Sequence, residues 1–192
     1  MAILSNNRLN DPRVARTRKA LREAFCTLSL TTPPNELMIS HITEAAGVNR
    51  KTFYLHYEGV DDLVDDVVLA TASEIQPSFL DDTSEEGLSA NILQIYSYLE
   101  SHQPLMNILL FSPRHLSVSR KLTDAILSLD YFNTFYTSNP MPVVIKGYFS
   151  SIFSIYHTWY DEKNTSDDPD KCMSLEELAD RCSNMLMHGI EE

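Results

Sequence analysis

Apolar positions recur along most of this chain at three- and four-residue steps, the period of an amphipathic helix. Asp11-Pro12 is a favoured N-cap followed by proline at the first helical position. After it, Thr17, Leu21, Ala24, Phe25 and Leu28 form one stripe, and Arg16, Arg18, Lys19 and Arg22 fall mostly off it. The run Thr-Thr-Pro-Pro-Asn at 31–35 breaks the pattern. A short helix is expected over 39–46, with Ile42, Ala45 and Ala46 inward and Gly47 as its stop. Asn49 then serves as N-cap for a third helix, where Phe53 and Tyr57 share a face and Arg50, Lys51 and Tyr54 point elsewhere.

The pattern continues. Val60, Leu63, Val64, Val67, Val68 and Thr71 mark a fourth helix, with Asp61 and Asp62 in the first turn, where the helix dipole favours acids. Ser84 caps a helix led by Glu85-Glu86, with Leu88, Ile92, Ile95, Tyr96 and Leu99 inward. Apolar helices are expected over 104–110, 117–129 and 142–160, then a polar loop over 161–170. Ser174-Leu175-Glu176-Glu177 is a capping box opening a last helix, with Leu178, Ala179, Cys182, Met185 and Leu186 on one side. The pattern contains no convincing strand and no internal repeat. The fold class is therefore all-α: an N-terminal three-helix head on a C-terminal helical domain.

Two short helices joined at Gly47 are the signature of a helix-turn-helix. The first turn of its second helix enters the major groove of DNA. Arg50 has the fork that pairs bidentately with guanine, hydroxyls of Thr52 and Tyr54 reach bases or phosphates, and Lys51 neutralises phosphate.

Charge changes the picture in two steps. The 192 residues carry 15 Lys+Arg against 27 Asp+Glu, net −12, which opposes an acidic partner. The charge is uneven, however. Up to Glu58 there are eight basic and five acidic residues, net +3, leaving seven basic and 22 acidic, net −15, in the remainder. Such a split fits a nucleic-acid-binding head on an acidic body, or simply a solvated basic helix face. The boundary is placed at 58/59, with a DNA-binding domain over 1–58 and a dimerisation and effector-binding domain over 59–192.

Composition narrows the chemistry. A hydrophobic fraction of 43 % suits a folded core rather than a disordered tail. The five glycines are too scattered for a phosphate-cradling loop. Cys26, Cys172 and Cys182 lack zinc or redox spacing; they read as buried thiols, or Cys172 and Cys182 as a redox pair. His102, His115, His157 and His188 lack metal-ligand spacing. No cofactor, metal or catalytic constellation is expected. The apolar stretch from 142 to 160 is interrupted by Lys146, serines and His157, so it is not expected to span a membrane. The chain reads as cytoplasmic. The acidic runs 61–66, 81–86 and 161–170 read as solvated surface.

The stretch Ile-Thr-Glu-Ala-Ala-Gly-Val-Asn-Arg-Lys-Thr-Phe-Tyr-Leu-His-Tyr-Glu-Gly-Val-Asp-Asp-Leu, from Ile42 to Leu63, resembles the DNA-binding domain of the TetR/AcrR family of bacterial transcriptional regulators. The resemblance covers about residues 13–68. Trp159-Tyr160 and the later Ser-Leu-Glu-Glu-Leu are similar to a subgroup that includes dihydroxyacetone-kinase operon activators.

The resemblance implies a homodimer that binds double-stranded DNA at a near-palindromic operator, with its last two helices paired across the two-fold axis. It implies DNA contact by Ser40, Asn49, Arg50, Lys51, Thr52, Tyr54 and His56, with Phe53 and Tyr57 holding the recognition helix. It implies a repressor, with an activator as the variant, and a small-molecule effector in the C-terminal domain. Tyr96, Asn107, Tyr148 and His157, polar groups on apolar helices, line such a pocket or are hydrogen-bonded core residues. Three positions depart from the family pattern: Val60 where a phosphate-gripping Lys is common, Met38 where a Thr often caps the second helix, and Pro33-Pro34 in the turn after the first helix. The alternative reading is a protein-interaction module that keeps the helix-turn-helix but no longer binds DNA.

Overall fold

The computed structural model describes residues 11–33, 36–80, 82, 84–111, 118–129, 133, 137, 142–168 and 171–188. The described residues contain helices and no strand. In chain order the helices are α1 (Pro12–Ser29), α2 (Ile39–Ala45), α3 (Arg50–Phe53), α4 (Val60–Ile75), α5 (Glu85–Ser101), α6 (Leu105–Phe111), α7 (Val118–Leu127), α8 (Pro142–Thr165) and α9 (Leu175–His188). A 3₁₀ turn, Gln76–Ser78, follows α4. The chain forms two compact units, Met1–Val67 and Val68–Glu192, dividing inside α4.

Local chemistry explains the boundaries of the first unit. The Asp11 carboxylate accepts from the Arg13 N–H at 2.8 Å, and Pro12 starts α1 without losing a bond. Gly47 has φ +65°, the left-handed conformation that favours glycine, and ends α2. Asn49 Oδ1 accepts from the Lys51 N–H at 2.8 Å, capping α3. Met38 precedes α2 with no side-chain cap bond. The core joins Leu21 and Phe25 of α1, Ile42 of α2, Phe53 of α3, Tyr57, and Leu63 of α4. One inward residue differs from expectation. Ala45 is exposed, and Thr43 is buried in its place, its hydroxyl bonded to the Ser40 carbonyl at 3.1 Å.

The second unit is built around α5, which packs most extensively on α9. Ser84 Oγ accepts from the Gly87 N–H at 3.1 Å, and the expected capping box forms at Ser174 and Glu177, at 3.1 and 3.2 Å. Gly87 has no room for a side chain: a Cβ there would lie 2.4 Å from the Asp82 carbonyl oxygen. Asn91, fully buried, holds the segment before α5 through both ends of its amide, to the Leu80 carbonyl and N–H at 3.0 and 2.7 Å. The Ser183 hydroxyl donates to the Glu85 carbonyl at 2.9 Å, tying α9 to the start of α5.

Two boundaries differ from the periodicity. Residues 161–165, expected as loop, extend α8 to Thr165. Polar composition alone does not stop the helix there: no glycine or proline intervenes before Pro169, and side chains reinforce it. His157 lies 3.4 Å from Asp161, and the Thr165 hydroxyl donates to the Asp161 carbonyl at 2.7 Å. Helix α3 is a single four-residue helix, continued to Tyr57 by turn hydrogen bonds such as Tyr57 N–H to Phe53 C=O at 2.9 Å. The expected breaker at 31–35 falls partly, at 34–35, outside the described residues, as does His115.

Candidate functional site

The head presents an exposed polar surface built on α3. Phe53 is fully buried and Tyr57 nearly so, their rings 5.4 Å apart, which roots the helix in the core. Rotation by 100° per residue then sends Arg50, Lys51 and Tyr54 outward, and all three are exposed. Arg50 Nη2 lies 3.2 Å from the Tyr54 hydroxyl, and its guanidinium stands 5.7 Å from the Tyr54 ring centre. Ser40 is exposed in the first turn of α2; Thr52 and His56 are half-buried. Asn49 is exposed, but its carbonyl oxygen is committed to capping α3, which leaves its amide group outward.

Behind this surface lies a network the sequence pattern did not predict. Asp66, read as part of a solvated acidic run, is buried. Its carboxylate accepts from Arg18 at 2.5 Å, Arg22 at 2.8 Å and the Tyr57 hydroxyl at 2.6 Å. Burial alone would raise this carboxyl's pKa. The Tyr57 hydrogen bond and the two guanidiniums outweigh burial and hold it below its usual range. Tyr57 in turn is pushed well up, by burial and by the neighbouring carboxylate. The His56 imidazole lies below its ordinary value, first through burial and then through the positive charge of Arg18. Two of the cations counted off the α1 stripe are therefore internal partners, and Lys19 lies 3.7 Å from Glu23. Arg50 and Lys51 are the cations that α3 itself presents to solvent.

Sequence reasoning also missed Leu55, 72 % exposed, and Met38, 56 % exposed, which give the head surface an apolar component. Neither interrupts the helical period, so no pattern signal marked them as outward.

The candidate effector residues separate in the structure. Tyr96 is fully buried; its hydroxyl lies 3.1 Å from the Ile152 carbonyl and 3.2 Å from Cys182 Sγ. Burial pushes both the Tyr96 phenol and the Cys182 thiol up. Tyr148 is half-buried, roughly 14 Å along α8 from His157 at 1.5 Å per residue. Phe111, one turn beyond Asn107 on α6, stacks on the His157 ring at 3.9 Å. Asn107 Oδ1 and His157 Nδ1 are buried without a hydrogen-bond partner, as is Gln103 Oε1. Gln103 donates through its amide nitrogen to the Tyr156 hydroxyl at 3.2 Å. No periodicity distinguishes a glutamine with one orphaned oxygen, so the sequence did not single it out.

A groove of about 580 Å³ runs between α8 and the residues leading into α9, lined by Ser151, Ile155, Thr158, Trp159, Met173 and Leu178 among others. Trp159 Nε1 donates to the Met173 carbonyl at 2.7 Å and fixes its floor. Val143 and Val144, at the start of α8, are 81 % and 43 % exposed. Among the described residues, no group of histidine, cysteine and acidic side chains is arranged to hold a metal, and no helix is long and apolar enough to cross a membrane.

No family model matches the sequence. No curated protein matches it either. Solved structures do. A TetR-family transcriptional regulator from Streptomyces coelicolor superposes with TM-score 0.59 at 15 % identity, over 90 % of this chain and 79 % of that one. The fatty acid degradation regulator FadR from Bacillus halodurans gives 0.56 at 15 %, over 94 % and 97 %. The dihydroxyacetone kinase operon activator DhaS gives 0.52 at 18 %, over 89 % and 94 %. At these identities the likeness is one of fold. The chain has the all-α architecture of TetR-family regulators.

Proposed function

We propose that this chain is a TetR-family transcriptional regulator that binds double-stranded DNA through its first 58 residues and acts as a homodimer. The observation that carries this reading is the state of α3. Its apolar residues are consumed in the head core while Arg50, Lys51 and Tyr54 stand exposed at its first turn and end. A recognition helix enters the major groove by that turn. In this reading Arg50 reads a base edge, Lys51 and His56 meet phosphate, and the hydroxyls of Ser40, Thr52 and Tyr54 and the amide of Asn49 complete the contact.

The dimer is supported by the exposed valines of α8 and by Gly147, around which a Cβ would meet nothing within 4 Å. A second copy of α8 and α9 would cover this face, and two-fold symmetry would make the operator near-palindromic. The residues from 59 on would then serve dimerisation and the binding of a small-molecule effector, with the protein a repressor or, as the variant, an activator. No catalytic role is assigned, and the cytoplasm is the compartment this reading requires.

Selection of bound duplexes from a random DNA pool by the full chain tests it. Enrichment of a near-palindromic sequence is expected. Recovery of no preferred sequence would favour the alternative, a helix-turn-helix module that binds only protein.

A further inference from the structure

Helix α8 carries a protrusion and a hollow on one stripe of its surface. Val143 and Val144, in its first turn, are 81 % and 43 % exposed. Toward its other end, Ser151, Ile155, Thr158 and Trp159 line the groove of about 580 Å³, with Met173 and Leu178 on the far side. Val144, Ser151, Ile155, Thr158 and Glu162 follow one another at steps of seven, four, three and four residues, so they share a helix face. Gly147 lies on that face too, with open space where a Cβ would stand. Between Val143 and Tyr160 the only Asp, Glu, Lys or Arg is Lys146, and it pairs with Asp124 of α7. In a chain of net charge −12, an outward face without charge has the character of an interface core. Its hydroxyls are already engaged. Ser151 donates to the Tyr148 carbonyl at 2.7 Å and Thr158 to the Ser154 carbonyl at 3.0 Å, so covering these two groups strands no donor.

The occupant follows from symmetry. A two-fold axis perpendicular to α8 pairs it with an antiparallel copy, so the start of each helix meets the far end of its mate. Gly147, Ser151 and Ser154 are small residues in the middle of the face, where two backbones can approach closely. Crossing at Ser151, seven residues from both Val144 and Thr158, sets the partner's Val144 against Thr158 at the groove. The apolar protrusion of each copy then enters the apolar hollow of the other, and both hollows are filled at once. Parallel pairing would set valine against valine and groove against groove, forfeiting those contacts. Charge agrees: the antiparallel register brings Glu162 to the N-terminal end of the facing α8, where the helix dipole favours a carboxylate. We propose that the groove between α8 and the residues leading into α9 is a socket for a second copy of this chain, filled by the partner's Val143 and the partner's Val144. This rests on the homodimer reading above and gives that dimer its register.

The test uses the full chain, its sedimentation, and a short bismaleimide that joins two thiols. Cys172 lines the groove and is half-buried, so it reports on what enters. Val143→Cys and Val144→Cys place a thiol on the protrusion, at exposed positions where the fold tolerates the change. Each variant should give a covalent dimer whose linked peptides join position 143 or 144 to Cys172. Adding Cys172→Ser should abolish that product. The wild-type chain, whose two grooves lie at opposite ends of the pair, should stay uncross-linked. A covalent dimer that survives Cys172→Ser and joins position 144 to itself would overturn the proposal in favour of parallel pairing. Protein that sediments as a dimer but gives no link to Cys172 in either variant would overturn the register and leave the homodimer reading in place. Protein that sediments as a monomer would overturn both. None of these outcomes touches the DNA-binding reading, which the duplex selection decides independently.

Discussion

The Tyr57 hydroxyl donates to the Asp66 carboxylate at 2.6 Å, and through that bond the chain leaving α3 is fastened to α4. The same carboxylate receives Arg18 and Arg22 of α1. One residue therefore joins α1, α4 and the root of the exposed α3 surface.

Removing that centre should be costly. Asp66→Asn leaves two arginines, each about a third exposed, without their counter-charge. We expect a loss of about 2–4 kcal/mol, below the full value for a deeply buried pair because water screens the guanidiniums. Tyr57→Phe removes one charge-assisted bond and should cost about 1.5–3 kcal/mol. Urea denaturation of the full-length variants, followed by a probe in the first unit, checks both.

The pH dependence has a fixed sign. Asp66 is held below its usual pKa, so its contribution is present above the unfolded carboxylate value and is lost as pH falls through the folded one. His56, also lowered, adds to the trend from about pH 6.5 downward, because the unfolded chain takes up that proton first. The head should therefore weaken in two stages on acidification. In Asp66→Asn the lower stage should vanish while the His56 stage persists. Denaturation midpoints measured between pH 7 and pH 3 would show this; an unchanged lower stage would disprove the assignment.

The two exposed cations of α3 should separate by kind. Arg50→Ala should cost about 1–3 kcal/mol on the selected duplex and relax preference at one base position. Lys51→Ala should weaken all sequences alike and reduce the salt slope by about one. Gel-shift titrations at several salt concentrations distinguish the two. With Arg18 and Arg22 engaged by Asp66, and Val60 where a lysine is common, few cations remain to grip phosphate. Non-specific binding should be weak from the outset and show a shallow salt slope.

Gly87 offers a steric prediction. A methyl group there would sit 2.4 Å from the Asp82 carbonyl, backbone that a side-chain rotation cannot clear. Gly87→Ala should lower the melting temperature by several degrees, whereas Gly147→Ala, with open space around it, should leave the fold unchanged. Calorimetry of the two variants provides the comparison.

Helix period, caps and stops were legible because they are local. Asn49, Gly47, Ser84 and the Ser174–Glu177 box depend on residues two or three positions apart, and each forms as expected. Asp66 was not legible, because its three partners lie 9 to 48 residues away and its neighbours Asp61 and Asp62 are exposed as expected. Residues 161–165 are polar enough to resemble a loop, yet with no glycine or proline before Pro169 they continue α8. The outward set on α3 followed from the burial of Phe53 and Tyr57. The orphaned acceptors did not, since a missing partner has no signature along the chain.

The Arg50–Tyr54 contact has a last consequence, for speed and selectivity rather than stability. A long, exposed arginine ordinarily samples many rotamers, and fixing it at an interface costs about 0.5–1.5 kcal/mol. Here the guanidinium already rests on the tyrosine of the next turn, by hydrogen bond and ring contact. Its conformational search is shortened before any partner arrives. Tyr54→Phe keeps the ring and removes the tether, so it should slow productive docking through Arg50 without touching a charge.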